Sequence, residues 1–436
     1  MRRYWKQILL AVVGIGIVAA LGALAWAHQP VIAAIARPDP RGFDPDLVRR
    51  GAVLAQIGDC AVCHTNPGGG AFAGGRPLPT PFGTLFVTNI TPDEATGIGA
   101  WSGAAFRRAM REGISRDGHH LYPALPYEHF TRVADDDLDA IYAFLMTRQP
   151  VRAAAPSNAL IPPLGFRPVL AGWKLLFLRE GPLPDDPAQS EEWRRGAYLA
   201  EGLGHCGGCH RPRNLAGAER PDRAFAGGIA EGYDAPPLDA TNPSAGRWSV
   251  DSLTTYLRTG MQQGHGVAAG PMGPVAHSLS QVPEADVRAI AVYVAAGMRG
   301  AATPAAAPSP VQTPAQITAQ AAEAARRHPV GASLFAGACG GCHGSGAPML
   351  ARDRADLSVV TALRAPEATN AVQAVIRGFS APTGPERPFM PPFAAGLTDA
   401  QLAEILTYAR ARFTDRPAWP DLAKTIARIR QEDRQP

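Results

Sequence analysis

The pattern Cys-x-x-Cys-His occurs at Cys60-Ala61-Val62-Cys63-His64, Cys206-Gly207-Gly208-Cys209-His210 and Cys339-Gly340-Gly341-Cys342-His343. Together these three copies use all 6 cysteines of a 436-residue chain. So few cysteines cannot staple a chain of this length as a disulfide scaffold. A structural zinc site takes four ligands, usually from two paired motifs, whereas each pair here stands alone in its stretch of sequence. Redox Cys-x-x-Cys motifs do not require a histidine after every copy. The pattern is the attachment signature of c-type haem, in which both sulfurs form thioethers with the haem vinyl groups. The spacing fits one helical turn, and the histidine then lies under the iron as a nitrogen ligand. Haem held in this way becomes much of the apolar core of a small domain.

The motifs sit inside a longer repeat. Each follows a short apolar, helix-like segment that opens at Gly51, Gly196 or Gly331. Trp101-Ser102 and Trp248-Ser249 stand at matching places after the first two motifs. A helical pattern follows in every copy: Phe106 to Gly113, Leu253 to Gly260 and Val372 to Gly378. Each copy closes with an amphipathic helix, Leu138 to Leu145, Val287 to Val294 or Leu402 to Ala409, whose apolar residues recur at i, i+3, i+4 and i+7. Asp135 to Asp137, Glu284 with Asp286, and Asp399 put negative charge where a helix amino terminus favours it. Strand signals are few, so each module reads as mainly helical.

The sixth iron ligand is expected late in each module. Module three has Arg387-Pro388-Phe389-Met390-Pro391-Pro392-Phe393, and module two has Gly270-Pro271-Met272-Gly273, each just before the closing helix. A methionine is usually core filling, but its position, its proline neighbours and its repetition favour Met272 and Met390 as ligands. Met261 is the weaker rival in module two. Module one breaks the pattern, because Leu125 stands where methionine is expected and leucine cannot bind iron. His129 lies nearest the displaced position. His120, His119 and Met110 are its rivals.

The amino terminus bounds the compartment. Ile8 to Ala27 is an uncharged run of about 20 residues, enough to cross a bilayer as a helix. Arg2, Arg3 and Lys6 precede it and should stay cytoplasmic, which places the rest outside the inner membrane. Ala25-Trp26-Ala27 also reads as a signal-cleavage site, so a mature chain starting at His28 is the competing reading. Both export the modules. A composition of 46% hydrophobic and 18% charged residues excludes a disordered chain. No Lys/Arg cluster follows the first ten residues, which argues against nucleic acid as a partner.

From about residue 45 to 415 the chain resembles the three-haem cytochrome c subunits of bacterial membrane-bound dehydrogenases. The residues that carry the likeness are Gly58-Asp59-Cys60-Ala61-Val62-Cys63-His64-Thr65, Phe72-Ala73-Gly74-Gly75 and Thr80-Pro81-Phe82-Gly83-Thr84. Further matches are Thr88-Asn89-Ile90-Thr91-Pro92-Asp93, Thr96-Gly97-Ile98-Gly99, Leu121-Tyr122-Pro123-Ala124 with Pro126-Tyr127, and Met390-Pro391-Pro392-Phe393. The resemblance implies class I cytochrome c-like domains, three covalent haem c groups and the iron ligands His64, His210, His343, Met272 and Met390. It also implies a catalytic dehydrogenase partner, with quinone or a terminal oxidase as electron acceptor. The change to Leu125, and Ala171-Gly172-Trp173-Lys174-Leu175-Leu176-Phe177, look more like the branch that serves molybdenum hydroxylases such as nicotinate and isoquinoline dehydrogenases.

The expected architecture is therefore mainly α. A transmembrane helix (1–30) leads to domain one (45–150) and a connecting, membrane-interfacial or module-packing segment (151–188). Domain two (189–300), an Ala/Pro-rich linker (301–328), domain three (329–415) and a tail (416–436) follow. The expected role is electron transfer, because no nucleotide-cradling glycine motif and no nucleophile–base pair is visible. The alternatives are a cytochrome subunit of a quinoprotein alcohol or flavin gluconate-type dehydrogenase, a haem peroxidase-like enzyme at an open first haem, and a terminal-oxidase cytochrome subunit.

Overall fold

The computed structural model of the chain describes residues 2–262, 264–299, 314–344, 347, 356–380 and 389–434. It divides into two compact units, Met1–Pro184 and Asp185–Pro436.

The first unit opens with the helix Arg2–Ala27. Its stretch Gln7–Ala27 is long and apolar enough to cross a membrane, and Ile8, Leu10, Ile15 and Val18 on it are exposed. Beyond it the chain runs extended along the module. The Ile32 amide donates to Arg116 O at 2.8 Å, and the Ile35 amide donates to Ala100 O at 3.1 Å. Arg108 Nη1 adds a bond to Pro30 O at 2.7 Å.

Module one is built on the crossing of a lead helix, Pro45–Ile57, with a closing helix, Asp135–Met146. Asp44 caps the lead helix, and Pro45 takes its first position, where no amide partner is lost. At the crossing Gly51 touches the other backbone: a Cβ there would lie 1.9 Å from Ala140 O. The second unit repeats this twice. Helix Glu191–Tyr198 meets Glu284–Arg299, where a Cβ on Gly196 would lie 1.9 Å from Ala289 O. Helix Pro329–Ala338 meets Asp399–Phe413, where a Cβ on Gly331 would lie 2.3 Å from Glu404 O. An aromatic residue one turn on, Phe144, Tyr293 or Tyr408, faces the same glycine in each case. The glycines that open each repeat are thus contact points between two backbones.

The middle helices also recur, as Gly103–Glu112, Val250–Thr259 and Thr369–Arg377. Ser102 and Ser249 cap the first two, which end at left-handed Gly113 (φ 60°) and Gly260 (φ 73°). Below these helices the chain forms short antiparallel hairpins. Pro77–Thr80 pairs with Gly83–Phe86 in module one, and Gly228–Ala230 pairs with Tyr233–Ala235 in module two.

Three expected boundaries change. Residues 301–313 of the linker lie outside the described residues, but Pro314–Arg327 is a helix docked on the closing helix of module three. Its alanines suit a helix and permit close approach. Ala324 is buried, and Gln320 Nε2 donates to Thr414 O at 2.7 Å. The tail is also part of module three: Leu422–Arg434 is a helix that buries Leu422, Ile426 and Ile429 beside Trp419. Their spacing, every three or four residues, makes the apolar stripe of a packed helix. Within 151–188, the stretch to Pro184 belongs to the first compact unit. Strand Ala159–Leu160 extends the hairpin of module one. Helix Val169–Phe177 buries Leu170, Ala171 and Lys174 on one face and exposes Leu175 and Leu176 on the other.

If the glycine crossing holds each module together, Gly196→Ala should lower unfolding stability by about 3 kcal/mol through overpacking. Gly337→Ala, where a Cβ meets nothing within 4 Å, should be neutral or slightly stabilising. Denaturant unfolding of the two variants checks this.

Candidate functional site

Each Cys-x-x-Cys-His lies on a single helical turn: Cys60–His64, Gly207–His210 after Cys206, and Gly340–His343 after Cys339. Left-handed residues directly before the first two motifs, Asp59 (φ 54°) and His205 (φ 37°), turn the chain into them. Burial pushes the thiols of Cys60 and Cys206 up to about 12 and that of Cys339 up to about 11, so all three sulfurs are protonated at neutral pH.

The histidines are oriented from behind. His64 Nδ1 donates to Thr88 O at 2.6 Å, and His210 Nδ1 donates to Pro236 O at 2.7 Å. A carbonyl only accepts, so the proton is on Nδ1 and the lone pair on Nε2. That tautomer leaves Nε2 to bind iron, with the carbonyl holding the ring in place. Burial also keeps both imidazoles below their ordinary pKa, which favours the neutral ligand form. The loops behind them match. The Gly74 amide donates to His64 O at 2.7 Å and the Gly227 amide to His210 O at 3.0 Å. The Ile90 amide donates to Phe72 O and the Leu238 amide to Phe225 O, at 2.9 and 2.8 Å. These donors fit a covalently held haem in both modules.

After the middle helix the backbone again aligns modules one and two. The Leu121 amide donates to Gly113 O at 2.7 Å, and the Ala268 amide donates to Gly260 O at 2.7 Å. Counted forward from these bonds, Leu125 and Met272 occupy the same position. Met272 is half-buried at the start of helix Met272–Leu279. Met261 lies on strand Met261–Gln262, paired with Val267. In module three, strand Phe389–Met390 pairs with Phe379–Ser380, and a Cβ on Gly378 would lie 2.3 Å from Met390 O. That glycine braces the strand carrying Met390.

The four alternatives in module one are separated by their surroundings. His120 is buried, and both ring nitrogens are engaged. Lys174 Nζ donates to Nδ1 at 3.1 Å, and Nε2 donates to Ala27 O at 2.8 Å. Lys174 also donates to Glu112 O and Gly113 O, both at 2.6 Å. It thereby satisfies the carboxyl end of the middle helix. Burial pushes its pKa down to about 8. His119 is exposed and lies 3.0 Å from Asp117 Oδ2. His129 is buried on the short helix Tyr127–Phe130, and Met110 is buried on Gly103–Glu112.

One cluster has no counterpart in the sequence reading. Arg211, next to His210, is buried between Glu219 Oε2 at 3.1 Å and Glu201 Oε2 at 3.3 Å. Tyr293 Oη donates to Glu201 at 2.9 Å. The only sequence signal was an arginine directly after the motif.

Comparison with known proteins points to cytochrome c. The family model for cytochrome c matches residues 48–149. That for subunit III of cbb3-type cytochrome c oxidase matches residues 326–408. The chain is 44% identical to a nicotinate dehydrogenase subunit of Pseudomonas putida over 98% of its own length, but spans only 35% of that relative. It is 34% identical to the gluconate 2-dehydrogenase cytochrome c subunit of Pantoea cypripedii, covering 89% of this chain and 90% of that one. It is also 34% identical to the fructose dehydrogenase cytochrome subunit of Gluconobacter japonicus, covering 86% and 81%.

The engaged ring of His120 makes a test. His120→Ala should cost module one about 2 kcal/mol, because Lys174 and the Ala27 carbonyl lose a buried partner, and should leave the haem absorption bands unmoved. Denaturant unfolding and visible spectra read the two effects separately. Taken together, fold, donor sets and relatives show that the chain belongs to the family of cytochrome c subunits that transfer electrons for membrane-bound dehydrogenases.

Proposed function

We propose that the chain holds three haem c groups, one per module, and relays electrons from a catalytic dehydrogenase subunit to a membrane quinone or a terminal oxidase. The observation that supports three is the glycine crossing, which recurs at Gly51, Gly196 and Gly331 ahead of each motif. Cys60 with Cys63, Cys206 with Cys209, and Cys339 with Cys342 carry the thioethers. His64, His210 and His343 would hold the irons, together with Met272 in module two and Met390 in module three. Bound haem supplies the one-electron chemistry. The chain positions each group and tunes it through ligand choice and burial.

In module one we assign His129 as the sixth ligand. His129 is the histidine nearest the Leu125 position and is buried on the helix Tyr127–Phe130, with Met110, buried on Gly103–Glu112, as the rival. A haem with two histidines has a lower potential than one with histidine and methionine. Leu125 in the methionine position and the 44% identity to the nicotinate dehydrogenase relative favour a molybdenum hydroxylase as partner over a quinoprotein or flavin dehydrogenase. Helix Arg2–Ala27 anchors the chain in the inner membrane, with the modules on the periplasmic side of Arg2 and Arg3.

Haem analysis of the full chain tests the count. Three haems per chain are expected, falling to two when Cys206 and Cys209 are both changed to alanine. Two in the unaltered chain would overturn the reading.

His129→Ala should change the spectrum and potential of one haem only and open that haem to carbon monoxide. Unchanged spectra would move the assignment to Met110. Carbon monoxide binding by the unaltered chain, with peroxide turnover, would favour a peroxidase-like enzyme at an open first haem, the reading that Leu125 also allows.

A further inference from the structure

The hairpins below the two histidine ligands have the same form but differ at one edge. In module one the outer strand Gly83–Phe86 is covered by Ala159–Leu160, with Thr84 opposite Ala159. In module two the matching residue is Asp234, the second of strand Tyr233–Ala235. No strand covers it among the described residues. The side chain of Asn370, from the middle helix of module three, takes that place. Asn370 Oδ1 accepts from the Asp234 amide at 2.9 Å, and Asn370 Nδ2 donates to Asp234 O at 2.7 Å. One side-chain amide thus reproduces the donor and acceptor of a neighbouring strand. Gln373, one turn along, donates to Gly232 O at 3.0 Å.

The clasped hairpin touches the supports of both proposed ligands in module two. Directly after it, Pro236 O holds His210 Nδ1 at 2.7 Å. Tyr233 packs on Gly270, where a Cβ would lie 2.6 Å from its ring, and Gly270 opens the turn that carries Met272. The clasping helix reaches the third site as well. It ends at Arg377, whose guanidinium lies over Tyr233 at 5.7 Å. The next residue, Gly378, braces Met390. One helix of module three therefore touches the ligand supports of two sites.

We infer that Asn370 is a positioning residue: its amide docks module three onto the hairpin of module two and fixes the second and third haems as one electron-exchanging pair. The inference rests on the ligand assignment proposed above. Exchange within the pair moves one electron, so one iron is oxidised as the other is reduced, and no bond or proton is transferred. The clasp acts by holding the distance between the groups constant and by fixing the carbonyl that orients His210.

The test uses the full haem-loaded chain with Asn370→Ala and the milder Asn370→Asp, which keeps an acceptor and loses the donor. Hydrogen exchange at the Asp234 amide, redox titration and flash-induced electron equilibration are measured. In Asn370→Ala, the loss of two hydrogen bonds should speed Asp234 exchange and slow equilibration between the second and third haems by about tenfold. The potential of the second haem should shift while that of the first stays put. Asn370→Asp should fall between this variant and the parent. An Asp234 amide that keeps its protection in Asn370→Ala overturns the clasp. Lost protection with unchanged potentials and equilibration overturns its role in the pair. Failure of the ligand assignment appears separately, as a wrong haem count or altered ligand bands in the unaltered chain.

Discussion

Each module depends on one contact, the approach of a glycine on the lead helix to a backbone carbonyl on the closing helix. At Gly51 and Gly196 even a methyl group would fall 1.9 Å from that oxygen. Once the two helices are held this close, the cysteine motif at the end of the lead helix has a fixed direction. The closing helix then presents its buried face to the same interior. Leu138, Ile141 and Leu145 in module one, and Leu402, Ile405 and Leu406 in module three, show how completely that face is used. A small domain with so little side-chain core needs a rigid frame into which a flat apolar group can fit.

The frame was legible because it is built from local patterns. Cysteine spacing, the recurring glycines, acidic first turns and apolar stripes all lie within a few residues of one another. The hairpins were not legible. Their strands are two to four residues long and include Pro77, Pro79 and Gly228, which carry no alternating pattern. Contacts between distant segments were equally hidden. His120 meets Ala27 across 93 residues, and Asp234 meets Asn370 across 136. The helix Leu422–Arg434 is a different case, since its apolar spacing at Leu422, Ile426 and Ile429 is local and lies in the sequence among charged residues.

Modules one and two also differ after the middle helix, at Leu125 and Met272. The backbone there is conservative, with the same left-handed glycine and the same return hydrogen bond. The side chain at the shared position changes from Met272 to Leu125. A fold that keeps its loop while exchanging the side chain at that position can alter one module without disturbing the loop, because the loop is held by backbone bonds.

The bond from His120 to Ala27 has a consequence for how the first module is carried. A polar linker after a membrane helix behaves as a flexible tether, and the domain at its end explores a volume set by linker length. Here the last residue of the helix is bonded to the module, and residues 28–37 are stitched along its surface. The helix end and the segment after it are therefore tied to the module by hydrogen bonds at Ala27, Pro30, Ile32, Ile35 and Arg37. If the helix spans a bilayer as proposed, a partner beside it would meet module one close to the helix end and not at the reach of a long tether.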